Sequence, residues 1–146
     1  MNVICFGDSN TYGYDPRSYL GGRYDPDSRW VDILAAEASW TVYNMGENGR
    51  EIPSTAPNFS ADTDLLIIMV GTNDLLQGRS PEQAAERLER FLSSLSLNRS
   101  KLLLIAPPPL KRGAWVPDQQ LIDNSCAYAR LCQTLAEQLG IHFADA

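Results

Sequence analysis

One run in this sequence, DLLIIMV at residues 64–70, is apolar at nearly every position. An unbroken apolar run of this length is typical of a strand that is covered on both faces of a parallel sheet. It is the third of five candidate strands along the chain, which we place at residues 2–6, 40–45, 64–70, 101–106 and 141–146.

Helical patterns separate these strands. One helix is predicted at 29–38, one after Ser80, which forms a capping box with Gln83, and one from about residue 118 to 139, where Gly140 ends it. Strands that alternate with helices predict a single α/β domain over 1–146. We expect a three-layer α/β/α sandwich around a parallel, five-stranded sheet with the flavodoxin-like strand order.

The composition indicates a folded protein and disfavours some partners. Hydrophobic residues make up 44% and charged residues 21%, which is typical of a folded globular chain. The net charge of −6 disfavours nucleic acid and anionic membrane surfaces as partners. The N-terminus lacks the pattern of a signal peptide, so we expect a cytoplasmic protein. Three cysteines and one histidine predict neither a disulfide framework nor a zinc site.

Three short glycine-containing segments follow the first three strands: GDSN at 7–10, GENGR at 46–50 and GTND at 71–74. Each segment alone is ordinary turn chemistry. Because ligands of such sheets bind beyond the carboxyl ends of the strands, however, we expect the three segments to meet at one edge.

Together they carry complementary parts of one reaction. The hydroxyl of Ser9 can attack an acyl carbon, and the developing oxyanion then needs preorganised N–H donors. The backbone N–H groups of Ser9 and Gly49 and the side-chain amide of Asn73 could supply three donors. Gly46 is an alternative to Gly49 for the glycine position.

These residues resemble the conserved blocks of the GDSL-type esterases and lipases, also called SGNH hydrolases. Gly7-Asp8-Ser9 is similar to the first block, with Asn10 where a leucine is common, and 48–50 and 71–74 are similar to the second and third. The resemblance implies a flavodoxin-like fold, no cofactor, and ester hydrolysis through an acyl-enzyme. It implies that Ser9 is the nucleophile and that Gly49 and Asn73 complete the oxyanion hole.

The fourth block of that family, an Asp-x-x-His pair after the last strand, has no counterpart here. The single histidine, His142, stands at the start of its strand, roughly 13 Å from the catalytic edge for four residues of strand, and we expect it to be partly buried and structural. Asp145 lies nearer the right edge. We therefore expect a chain truncated after Ala146, with the last helix missing and the base supplied by a C-terminal segment or fragment.

The resulting hypothesis is a serine hydrolase of small acyl esters, acetyl esters among them, with a small-molecule ester as its partner. The alternative is a catalytically inactive acyl- or carbohydrate-binding module of the same fold. A flavin-binding flavodoxin relative would fit the sheet but not the loops. The tyrosine-rich stretch 12–24 and Trp115 are candidate walls of the substrate pocket, and an ordinary packing role is the alternative for both.

Overall fold

The computed structural model describes residues 1–114 and 116–146; Trp115, a candidate pocket residue, lies outside them. Five parallel strands form one sheet in the order β2-β1-β3-β4-β5. This order is the flavodoxin-like order that the sequence predicts. The strand bounds are β1 Asn2–Gly7, β2 Thr41–Gly46, β3 Leu65–Met69, β4 Leu102–Ala106 and β5 His142–Asp145.

Within the described residues, five α-helices join the strands: α1 Ser9–Tyr12, α2 Trp30–Ala38, α3 Thr72–Leu76, α4 Pro81–Ser93 and α5 Gln119–Leu139. The three longer helices, α2, α4 and α5, confirm the predicted ones. The two short helices were not predicted, because four or five residues are too few to show a helical period. They begin in the first and third glycine-containing segments, at the carboxyl edge of the sheet.

The sheet separates two apolar clusters, as a three-layer sandwich requires. Along β1, Ile4 and Phe6 belong to the larger cluster with α4 and α5, whereas Val3 and Cys5 belong to a smaller one with α2. The ring of Phe6 stacks on that of Phe91, with centroids 5.5 Å apart. The predicted α/β/α arrangement is therefore confirmed.

The two long helices on the larger cluster begin and end where the sequence indicates. Both hydrogen bonds of the capping box between Ser80 and Gln83 are present at the start of α4, and Gly140 ends α5 at φ 65°. Inside α5, the Tyr128 hydroxyl donates to the carbonyl of Val70 over 3.0 Å. This bond fixes the end of β3, from which α3 departs.

Coverage of the sheet is uneven. On the side of α2, Leu103 and Ile105 of β4 are only partly buried. On the other side, Tyr43 and Met45 of the edge strand β2 are 55% and 37% exposed, beside a groove of about 670 Å³. This groove holds none of the predicted site residues.

Candidate active site

Ser9 is the first residue of α1 and lies directly beyond β1, half-buried at the carboxyl edge. Two side chains hold this short helix in place. The Asn44 amide donates to the carbonyl of Thr11 over 2.8 Å, and the Trp30 indole N–H donates to the carbonyl of Asn10 over 3.1 Å. The hydroxyl of Ser9 therefore stands on an anchored turn.

Asp8 caps this helix from a fully buried position. One of its carboxylate oxygens, Oδ1, accepts the N–H of Asn10 over 2.9 Å, whereas Oδ2 has no well-aligned hydrogen-bond partner among the described residues. Burial raises the pKa of Asp8 to about 6, against the opposing effects of Asn10, the Thr72 hydroxyl and the Arg50 charge. Asp8 thus carries a carboxyl group that titrates just below neutral pH.

Gly49 occupies a turn in which the N–H of Arg50 donates to the carbonyl of Glu47 over 3.2 Å. Its φ of 77° favours glycine, and no atom lies within 4 Å of the place where a Cβ would stand. Gly46 is different: its N–H donates to Oδ1 of Asn44, and a Cβ there would lie 2.1 Å from the Tyr12 nitrogen. Gly46 is therefore a packing glycine, whereas the Gly49 turn is open on the side where a Cβ would stand.

The Arg50 guanidinium ties this turn to the end of β1. Its Nη1 donates to the carbonyl of Gly7 over 2.9 Å and also contacts the carbonyl of Met45, while Nη2 pairs with Glu47 over 2.6 Å. The group lies 4.3 Å from the centroid of the Phe6 ring. The turn that holds Gly49 is thereby drawn against the strand that leads to Ser9.

Asn73, the second residue of α3, reaches the same turn. Its side-chain Nδ2 donates to the backbone carbonyl of Arg50 over 2.9 Å. This bond uses one of the two hydrogens on Nδ2, so one remains for an oxyanion. The structure thus brings the three predicted residues, Ser9, Gly49 and Asn73, to one edge of the sheet, with Arg50 in contact with the segments that carry them.

An ionic cluster surrounds the buried Asp74, the residue after Asn73. Asp74 is fully buried, accepts the N–H of Ile52 over 2.8 Å and pairs with Arg87 at 2.9 Å, while Arg79 lies 3.9 Å away and pairs with Glu51. Burial raises the pKa of Asp74, and the Ile52 N–H and the two arginines oppose that effect. The cluster fixes the segment after Gly49 to the start of α3 and to α4.

The sequence analysis did not identify Asp8, Arg50, Asp74 or Arg87 as supports of the site. One signal was available: Arg87 falls within the apolar stripe of α4 that holds Ala84, Leu88 and Phe91, where a charged residue needs a buried partner.

His142 does not take part. The prediction that it is partly buried was wrong: the first residue of β5 is exposed, because it sits at the amino end of an edge strand. It pairs with Leu103, whereas Asp145 pairs with Ala106 at the carboxyl end. β5 also lies three strands from β1, about 14 Å at 4.8 Å a step. His142 is therefore out of hydrogen-bond reach of Ser9.

Within the described part of the chain, no three His, Cys, Asp or Glu side chains are grouped so that they could hold a metal ion. Nor is any helix of that part long and apolar enough to cross a membrane.

A serine, an open glycine turn and a side-chain amide at the carboxyl edge of a flavodoxin-like sheet are the groups with which an acyl hydrolase of the α/β class works. Comparison with known families agrees with this class. The model of the GDSL-like Lipase/Acylhydrolase family matches residues 5–146, and the chain belongs to that family.

Individual relatives are esterases. The chain is 26% identical over 166 residues to isoamyl acetate-hydrolyzing esterase 1 homolog of Bos taurus; this match covers 98% of the chain and 65% of that relative's length. Among solved structures, an aryl esterase of M. smegmatis is 25% identical with a TM-score of 0.82, covering 99% of this chain and 83% of that one. A member of the lipolytic G-D-S-L family from Veillonella parvula is 25% identical with a TM-score of 0.74, covering 99% and 77%.

Proposed function

We propose that this chain carries the nucleophile and the oxyanion hole of a serine carboxylic-ester hydrolase for small acyl esters. The observation that carries the proposal is the linkage around Arg50. Its side chain donates to the carbonyl of Gly7 and its own carbonyl accepts from Asn73, so the segments that carry Ser9, Gly49 and Asn73 are held together before any substrate binds. Preorganised donors of this kind are the largest single contribution to acyl transfer in many enzymes.

In the proposed reaction, Ser9 Oγ attacks the acyl carbon and gives its proton to a general base. The carbonyl oxygen becomes an oxyanion that accepts hydrogen bonds from the N–H groups of Ser9 and Gly49 and from the free hydrogen on Asn73 Nδ2. The base returns the proton to the leaving alcohol as the ester bond breaks, which leaves Ser9 acylated. Water then attacks the acyl-enzyme by the same route and releases the acid.

The base itself belongs, in this proposal, to a segment outside these 146 residues. Two observations support this assignment. His142 stands at the opposite end of its strand from the catalytic edge, and the side chains of Leu103 and Ile105 leave part of the sheet on the α2 side only half covered. A further helix that packs there would both bury those side chains and bring a base to the carboxyl ends of β4 and β5.

The proposed preference for small acyl groups is supported by the Bos taurus relative, which is named for an acetate ester. The M. smegmatis relative is named an aryl esterase, so the two names differ in the alcohol.

The test compares p-nitrophenyl acetate hydrolysis by wild-type protein, Ser9→Ala and Ser93→Ala, the last an exposed serine at the end of α4. Each is assayed with and without 2-methylimidazole, a hindered external base. We expect the added base to accelerate wild type and Ser93→Ala beyond its own background. Ser9→Ala should lose the acceleration that depends on the added base. Equal rates in wild type and Ser9→Ala would contradict the proposal.

The alternative is an inactive module that binds the acyl or carbohydrate ligand in the same place. The observation that favours it is that His142, the one histidine of the sequence, is distant from Ser9. Saturable ester binding without turnover dependent on Ser9, in the presence of the external base, would support this alternative over the hydrolase.

A further inference from the structure

The loop that follows α1 is built as a compact hairpin. Tyr14 and Arg23 form an antiparallel bridge at its base. Arg23 Nε donates to the carbonyl of Tyr12 over 2.7 Å, and its guanidinium lies 4.7 Å from the centroid of the Tyr12 ring. The hairpin loop, residues 14–23, is therefore anchored on the short helix that carries Ser9.

Contacts inside the hairpin loop hold its shape. The Ser18 hydroxyl accepts the N–H of Gly22 over 2.8 Å, and the N–H of Asp15 donates to the carbonyl of Gly22 over 3.0 Å. Arg17 pairs with Asp15 at 2.9 Å. The charge of Arg17 is thus paired within the loop, and the tip, residues 18–22, contains no charged residue.

That tip presents two large apolar side chains to solvent. Tyr19 is 102% exposed and Leu20 is 96% exposed, whereas the other exposed large hydrophobic residues among those described reach at most 55%. Two adjacent apolar side chains on a preformed loop offer a contact surface on which burial of apolar area by a ligand would be favourable.

The position of the tip indicates what binds. At Gly21, the nearest atom to a built Cβ is Nδ2 of Asn48, at 3.9 Å, and Asn48 directly precedes Gly49. The tip of the hairpin loop therefore lies beside the side chain of the residue that precedes Gly49. We expect an ester whose carbonyl oxygen accepts from the Gly49 N–H to extend one of its two substituents toward this tip.

We infer that Tyr19 and Leu20 form a wall that binds the uncharged, apolar part of the ester, on the Gly49 side of the site. The inference rests on the proposed function for the identity of the ligand. The acyl chain and the alcohol share the same apolar chemistry, so the experiment includes a series for each.

The test measures ester binding by NMR titration of Ser9→Ala protein, which needs no turnover. Hexyl acetate extends the alcohol, methyl hexanoate extends the acyl chain, and methyl acetate extends neither. We expect Tyr19→Ala or Leu20→Ala to weaken binding of at least one extended ester by about five- to tenfold, as loss of buried apolar contact predicts. Methyl acetate should bind as before.

Two substitutions serve as matched controls: Tyr43→Ala on β2 and Ile33→Ala on α2, both of which remove an exposed apolar side chain away from the catalytic edge. They should leave all three affinities unchanged. If the tip variants weaken neither extended ester, or weaken methyl acetate equally, the inference is wrong. It is also wrong if light scattering shows that the tip variants dissociate an oligomer, since the tip would then bind a second copy.

Failure of the inference and failure of the proposed function give different results. Suppose that binding of an extended ester depends on Leu20 but the external-base assay shows no Ser9-dependent turnover. The inference about the wall would then stand, and the proposed hydrolase would be wrong. Ser9-dependent turnover with affinities that do not change in the tip variants would do the reverse.

Discussion

The two halves of the sheet end in different chemistry at the same edge. Beyond β2, β1 and β3, polar groups are bonded to one another across the strands, through Arg50, Asn73 and Asp74. Beyond β4 and β5, the corresponding strand ends are Ala106 and the exposed Asp145. The fold aligns both halves equally, so the side chains of the loops, and not the sheet, decide where a reaction can take place.

This difference gives the polar half, at the ends of β2, β1 and β3, an energetic cost that the half at the ends of β4 and β5 lacks. Asp8 and Asp74 are both fully buried carboxyl groups, and burial raises the pKa of each. Buried carboxylates are stable only when their partners remain in place. The predictions below test whether the polar half depends on its partners in this way.

Removing the partner of Asp74 should have the largest effect on stability. Arg87→Ala leaves a buried carboxylate with Arg79 3.9 Å away as its remaining cation, and we expect the free energy of unfolding to fall by about 3 kcal/mol. Arg90→Ala, on the same helix but exposed, should change it by less than about 0.5 kcal/mol. Urea unfolding measures both, and equal losses would show that the ion pair with Asp74 is dispensable.

Asp8→Asn should change the pH dependence of stability. The pKa of Asp8 in the folded chain, about 6, lies above its ordinary value of 3.8, so the stability linked to its protonated form is present at low pH and lost as pH rises through 6. The asparagine variant can still cap α1 and should be more stable than wild type at pH 7 to 8, by up to about 3 kcal/mol.

The measurement for Asp8 is urea unfolding at several values between pH 4 and pH 8. Gln120→Ala, which removes an exposed and uncharged side chain from α5, is the control and should keep the wild-type pH dependence. Asp74, whose pKa is also raised, contributes equally to the change of stability with pH in every variant. If the free energy of unfolding of Asp8→Asn changed with pH as steeply as that of wild type, Asp8 would not be titrating between pH 4 and 6.

Two glycines allow backbone strain to be separated from a role in the site. Gly49 and Gly78 have φ of 77° and 89°, and neither has an atom within 4 Å of a built Cβ. Substitution of either by alanine should lower stability by about 1 kcal/mol. Only Gly49→Ala should also lower the Ser9-dependent esterase rate, because an alanine disfavours the φ of 77° that orients the Gly49 N–H. Equal rates in both variants would remove Gly49 from the oxyanion hole.

The smallest effect of a substitution is expected in the half of the sheet formed by β4 and β5. His142→Ala removes an exposed side chain at the amino end of β5, so stability should change by less than about 0.5 kcal/mol and the Ser9-dependent rate should stay the same. A large loss of rate in the external-base assay would show that this half of the sheet does supply a base.

Much of this architecture could be predicted from the sequence because its signals are local. The apolar run at 64–70 gave β3 to within one residue at each end, and the capping box at Ser80 gave the start of α4. The convergence of the three glycine-containing segments follows from the parallel order of the strands, which the alternation of strands and helices predicts.

The supports of the site could not be predicted, because their partners are distant in the chain. Arg50 bonds to Gly7, 43 residues away, and Arg87 bonds to the carbonyl of Ile52, 35 residues away. No local spacing encodes such pairs. The burial of His142 was predicted wrongly for a related reason: exposure at the end of an edge strand depends on which elements pack there, and the residues near His142 do not indicate that.

The central claim is that Ser9 is the nucleophile of a preformed oxyanion site, and labelling with a fluorophosphonate tests it most directly. The protein is treated with the reagent and 2-methylimidazole, and the modified peptide is located by mass spectrometry. The account predicts one adduct, on Ser9, that forms faster with more base and more slowly in Asn73→Ala. Labelling of other serines at the same rate, or an equal rate in Asn73→Ala, would contradict it.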